Sequence, residues 1–160
     1  MKLNTIISRA LDIAVKAIKK ELRDQGHNNS KQLSDSIEGK IITVTNGLRG
    51  ELYMLDRYKF INLYSSNIPF SGSRGVAKKS KYIQALIKFF KSKGAKNPIS
   101  AAFATAWKQK KEGRPTKGSY LFSKNKRRTG FLDVGLASVE EQIFELISTE
   151  VNNAIVKSYG

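Results

Sequence analysis

Residues 30–55 read SKQLSDSIEGKIITVTNGLRGELYML. Leu33 and Ile37 are four apart, which suits one helical turn, before Gly39 opens a β-branched run from Lys40 to Thr45. Asn46-Gly47 then places together two residues that accept positive φ, as a type I′ turn requires, with extended-type sequence on both sides. The spacing predicts a hairpin whose strands run from Lys40 to Thr45 and from Leu48 to Leu55.

Upstream, Leu3, Ile6, Ile7, Ala10, Leu11, Ala14, Val15, Ile18 and Leu22 recur at three- and four-residue spacing, with Arg9, Asp12, Lys16, Lys19 and Arg23 between them. This is an amphipathic helix, and Gly26 supplies the left-handed residue that ends it near Asp24. The polar residues after Gly26 read as a loop. Downstream, DRYKFINLYSSNIPF (56–70) is apolar and irregular, which fits a third strand from about Lys59 to Leu63, stopped by Pro69.

SGSRGVAKKS (71–80) has the small-residue composition of an exposed connection. Ser80 then caps a helix with Tyr82, Ile83, Leu86, Ile87 and Phe90 on one stripe and Gly94 as its stop. Asn97-Pro98 starts a second helix with Ile99, Ala102, Phe103, Ala106 and Trp107 on its stripe, ending at Gly113, so the two form a helical hairpin. From Arg114 to Gly130 a long loop or a pair of short strands around SYLF is expected. Ser138 with Glu141 makes a capping box before a final long helix. The fold class is α+β: a small antiparallel sheet packed against long N- and C-terminal helices, carrying a basic helical and loop insertion.

A chain of 160 residues is the size of one domain, and 40% apolar residues suffice for a folded core. The division expected is a single domain, 1–160, with 71–130 as a basic module within it. Arg9 and Asp12 interrupt the N-terminal apolar residues too early for a signal peptide, and no membrane is expected as a partner. The absence of cysteine excludes disulfides, thiolate metal sites and cysteine nucleophiles.

The formal charge of +16 is unevenly placed. Residues 71–130 hold 17 Lys and Arg against one acid, Glu112, whereas the other 100 residues hold 12 of each sign. Solvated surfaces normally mix signs, so such a bias points to a polyanion or to an acidic protein face. The contact residues expected are Lys78, Lys79, Lys81, Lys108, Lys110, Lys111, Arg114, Lys117, Lys124, Lys126, Arg127 and Arg128. Trp107, Tyr120 and Phe122 lie among these charges, where base stacking on a single strand suits all three; core packing is the preferred reading for Trp107 because it lies on the apolar stripe, whereas Tyr120 and Phe122 lack periodic context and stay undecided.

Catalytic signals are thin. The one histidine, His27, reads as a surface loop residue without a nucleophile or ligand partner. Glu38-Gly39-Lys40 with Asp24 or Asp35 upstream resembles a nuclease trace, but phosphodiester cleavage by metal ions needs several carboxylates gathered at one point, and these are scattered. No catalytic, cofactor-binding or metal residue is assigned; the reading expects no enzyme and no cofactor.

The order of parts resembles a known family. The long first helix, QLSDSIEGKIITV (32–44), the Asn-Gly hairpin, YKFINLYSSNIPF (58–70) and the long helix after RRTGFLDV (127–134) are similar to the neck or tail-completion proteins of tailed bacteriophages. NPISAAFATAWKQKKEGRPTKGSY (97–120) is also similar to the middle of phage virion proteins. The resemblance implies a non-enzymatic structural protein of the virion, a small sheet on two long helices. It further implies a homo-oligomeric ring between portal and tail, with portal and other neck or tail proteins as neighbours and genomic DNA passing through. Tyr58 and Pro69 fit the family pattern, Leu63-Tyr64-Ser65 replaces its glycine, and 71–130 is longer than its usual loop. A stand-alone nucleic-acid-binding protein is the alternative that charge alone allows.

Overall fold

The computed structural model describes residues 3–27, 31–70 and 80–159. Most of the expected connection at 71–80, with Lys78 and Lys79, lies outside the described residues, as does the 28–30 part of the loop after Gly26. The elements are α1 (Leu3–Asp24), α2 (Gln32–Ser36), β1 (Glu38–Val44), β2 (Gly47–Tyr53), α3 (Tyr58–Asn62), α4 (Lys81–Ser92), α5 (Pro98–Glu112), a 3₁₀ helix (Lys117–Phe122), α6 (Phe131–Ala137) and α7 (Glu140–Tyr159). The fold is α+β, a two-stranded antiparallel sheet with long N- and C-terminal helices. The chain falls into two compact units, 1–63 with 122–160, and 64–121.

In the first unit, Ile18, Leu22, Leu33, Ile37 and Phe131 form a buried cluster. Each such side chain contributes about 1.5–3 kcal/mol by leaving water. The hairpin pairs Glu38 with Tyr53 through to Val44 with Gly47, so Thr45-Asn46 is the two-residue turn. Gly47, at φ +148°, closes the turn instead of standing at its centre, and Asn46 is not left-handed. The sheet lies close on α1: a Cβ on Gly39 would stand 2.8 Å from the Leu11 Cβ.

The third strand expected near Lys59–Leu63 is α3 instead. Tyr58 and Ile61 both pack on the Ile18 cluster, and a helical turn puts residues three apart on one side where a strand would oppose them. The buried Asn62 then serves the next segment: its carbonyl accepts from the Gly130 N–H at 2.7 Å and its Oδ1 from the Leu132 N–H at 3.0 Å. The expected capping box is also absent. A separate helix, α6, precedes α7, and the Ser138 hydroxyl donates back to the Gly135 carbonyl at 2.7 Å.

In the second unit, α4 and α5 form the expected helical hairpin. Asn97 Oδ1 accepts from the Ser100 N–H and Pro98 occupies the first turn, so α5 starts as the sequence indicates. Ile68, Phe70, Ile83, Ile87, Ala102, Phe103 and Ala106 make its core. Ser65 and Arg114 exchange both backbone hydrogen bonds at 2.8 Å. Arg114–Gly130 is neither a structureless loop nor a strand pair: the SYLF residues lie in the 3₁₀ helix.

Candidate functional site

The unit 64–121 contains thirteen Lys and Arg and one acid, a net charge of +12. Its core is apolar, so the lysines are confined to its surface: Lys81, Lys88, Lys91, Lys93, Lys96, Lys108, Lys110, Lys111 and Lys117 are all exposed. Glu112, the sole acid, accepts a hydrogen bond from the Lys117 N–H at 3.0 Å and so fixes the start of the 3₁₀ helix. Arg114 is half-buried, with its guanidinium 5.6 Å from the centre of the Tyr82 ring. Burial pushes the Tyr82 hydroxyl above its usual range, while the charge of Arg114 pulls the other way. Tyr82 also donates to Gln109 Oε1.

The geometry gathers one group of the expected residues tightly. Lys108, Lys110 and Lys111 line a surface groove of about 450 Å³ with Trp107, and Lys110 Nζ lies 5.6 Å from the indole centroid. Trp107 is not in the core, contrary to the sequence expectation: it is 53% exposed. At 3.6 residues per turn it stands about 90° away from the centre of the stripe formed by Ala102, Phe103 and Ala106, which is the helix flank. Phe70 meets it edge-on.

The second group, Lys124, Lys126, Arg127 and Arg128, falls in the other unit and lies on the C-terminal end of α1. Lys124 N–H donates to the Asp24 carbonyl at 2.7 Å, and Asn125 Nδ2 donates to Glu21 Oε1 at 2.7 Å. The buried Ser123 hydroxyl accepts from the Arg127 N–H at 2.9 Å. Lys124, Lys126 and Arg127 remain exposed. Arg128 differs: it is half-buried and its Nη1 donates to the Gln25 carbonyl at 2.5 Å, so it holds this loop to α1 instead of presenting its charge outward. Gly26, at φ +73°, admits it, since a Cβ there would stand 2.7 Å from that Nη1.

His27 is part of the same clamp and not an ordinary loop residue. Its Nε2 lies 3.0 Å from the Arg128 carbonyl, which only accepts, so Nε2 carries the proton of the neutral ring. Burial, aided by the Arg128 charge and opposed by that hydrogen bond, lowers its pKa to about 4. Of the carboxylates in the nuclease-like trace, Glu38 pairs with Lys40 at 2.8 Å, and Asp24 faces Lys20 and Lys124 at 3.9 and 4.0 Å. Among the described residues no group of three or more His, Cys, Asp or Glu is placed to hold a metal ion, and no helix is long and apolar enough to cross a membrane.

Exposed Lys88, Lys91, Lys93 and Lys96 belong to the same cationic surface. Their signal was legible in the sequence, since all four sit off the α4 stripe or in the link that follows it. Tyr120 is half-buried and Phe122 is 77% exposed.

A second feature stands apart from the charge. Along α7, Phe144, Ile147 and Val151 share one stripe and are 71%, 42% and 44% exposed; Ile147 and Val151 also line an apolar groove with Leu3, Ile6 and Ile7 of α1, and Phe144 stands outside it. Glu140, Glu141, Glu145 and Glu150 give this helix four carboxylates against Lys157. Glu150 pairs with Arg9 of α1 at 2.9 Å. No protein-family model, curated protein sequence or solved structure matches the chain.

Proposed function

We propose that this chain is a structural subunit of the head-to-tail connector of a tailed bacteriophage, a non-enzymatic protein that assembles in the virion as a homo-oligomeric ring joining portal to tail. The resemblance of residues 3–70 and 131–158 to neck and tail-completion proteins supports the family. The observation that carries the assembly is the apolar stripe of α7, because large apolar side chains in a row on one helix mark a protein contact.

The occupant of that stripe is a second copy. Its carboxylates face a chain whose inserted unit holds +12, so contact between α7 of one subunit and the basic unit of the next is electrostatically favoured and repeats head to tail around a ring. Pairing α7, at −3, with that unit leaves a surplus of nine positive charges per subunit. Multiplied around a ring, this surplus holds phosphates without reading bases, so DNA is retained and still slides.

Size-exclusion chromatography with light scattering, together with mass spectrometry of purified particles, tests the reading. A ring-forming species present in virions is expected. A monomer or dimer that is absent from particles and binds nucleic acid tightly would instead establish the second reading, a stand-alone nucleic-acid-binding protein, which the exposure of Trp107 among lysines favours.

A further inference from the structure

The groove on α5 combines charge with an exposed indole, more open to water than Phe89, another aromatic of this unit that carries a lysine over its ring. We infer that Trp107, with Lys108, Lys110 and Lys111, forms a stacking site for an unpaired base of single-stranded nucleic acid, the lysines holding the flanking phosphates. The inference rests on the assignment of the basic unit to a polyanion and adds what that unit recognises.

Three observations converge. Trp107 leaves 53% of its surface in water although Ala102, Phe103 and Ala106 of the same helix are fully or almost fully buried. Phe70, itself 5% exposed, meets the indole edge-on with ring centroids 5.2 Å apart at 89°, so the indole is braced from the core and has little freedom to collapse inward. The groove of about 450 Å³ beside it falls within the range of small-ligand sites and is walled by the indole and the largely apolar stems of three lysines, a surface suited to the face of a base. Lys110 Nζ at 5.6 Å shows that the ring already attracts a cation. A base stacking there displaces this ammonium toward the adjacent phosphate. Stacking is tolerant of base identity, and lysine contacts are tolerant of sequence, so the site selects single strands over duplex and one base over none, without preferring a particular base. An acidic protein face would satisfy the lysines but leave the indole without a partner of its own kind.

Trp107 is the only tryptophan in the chain, so its emission reports this site alone. The full chain is titrated with oligothymidylate of about 15 nucleotides, within the range that single-strand sites occupy. The comparison ligands are an abasic deoxyribose-phosphate strand of equal length and charge, and polyglutamate. Quenching by oligothymidylate, with affinity about tenfold above the abasic strand, is expected. Trp107→Ala should lower oligothymidylate affinity about tenfold to the abasic level, while Trp107→Phe retains most of it. Equal binding of oligothymidylate and abasic strand by the unaltered chain, with no difference in emission, overturns stacking and leaves the polyanion assignment standing. Polyglutamate matching oligothymidylate in both readouts also overturns it, in favour of an acidic protein partner. No binding of either strand at low salt sinks both. The wild-type comparison needs no variant to fold.

Discussion

Gly135 of α6 lies directly against the backbone of Ile18 in α1: a Cβ at Gly135 would stand 3.0 Å from the Ile18 Cα and 3.3 Å from its N. The obstacle is main chain, which has no rotamer to give, so the two helices must separate to admit even a methyl. Phe131, wholly buried one helical stretch away, fills the same core as Ile18 and would shift with them. Gly135→Ala gains up to about 1 kcal/mol of helix propensity but should still lower stability by about 1–2 kcal/mol through overpacking. Urea unfolding followed by circular dichroism reads this, and an unchanged or raised midpoint would show that α6 does not pack as described.

His27 makes stability depend on acid. Above its unfolded pKa of 6.5 the ring is neutral in both states and contributes no pH dependence. Between 6.5 and about 4 only the unfolded chain takes up the proton, so stability falls as pH falls, by at most about 1.4 kcal/mol per pH unit. Below about 4 both states are protonated and the loss is complete. Since the ring retains some access to water, the whole effect is expected at about 2 kcal/mol. His27→Gln should remove that slope between about pH 6.5 and 4.5, measured as the difference between urea midpoints of the variant and the parent across the range.

The two helices that frame the first unit, the hairpin and the α4–α5 pair were legible because each has a local cause: period, a cap, or a glycine at the point where the chain turns left-handed. The misreadings share a different cause. Tyr58 and Ile61 adopt a helical turn because a core built by Ile18 and Leu33 needs both on one side, and nothing within 58–62 states that. Trp107 sits at the margin of its stripe, where one residue of angular error converts core into surface. Arg128 looks like its neighbours Lys126 and Arg127 in the sequence, yet a carbonyl of Gln25, more than a hundred positions away, draws it inward. Charge, by contrast, needs no geometry to be counted, so the cationic character of the insertion was visible before its surface was.

That distinction predicts two outcomes for charge removal. Lys108, Lys110, Lys111 and Arg127 are exposed, and replacing all four by Gln should leave the fold within about 0.5 kcal/mol per site of the parent. The same set should flatten the dependence of duplex DNA affinity on salt by up to about 0.9 logarithmic units for each phosphate no longer neutralised. Arg128→Gln should instead destabilise by about 1.5–3 kcal/mol, since it removes a charged hydrogen bond from a partly buried clamp. Isothermal titration at several salt concentrations, beside urea unfolding, separates the two. A salt slope that is unaltered in the quadruple variant would remove phosphate binding from the role of these residues.

The stripe on α7 permits the sharpest separation of folding from assembly. Phe144 is 71% exposed, whereas Val151, 44% exposed, also lines the apolar groove against α1. Phe144→Ser should therefore leave the monomer's melting nearly unchanged, and Val151→Ser should lower its stability by about 1 kcal/mol through the lost contact with α1. In the ring, each side chain buried by the neighbouring copy contributes about 1.5–3 kcal/mol, and removing both should weaken association at least about a hundredfold. Raised salt should weaken it further if the α7 carboxylates meet the neighbour's lysines, because exposed charge pairs are screened beyond about 10 Å at about 0.1 M. Light scattering across a dilution series, with the parent and the double variant at two salt concentrations, gives both answers. A variant that assembles as well as the parent would place the subunit contact elsewhere on the molecule, and one that assembles normally at low salt but not at high salt would assign the contact to charge alone.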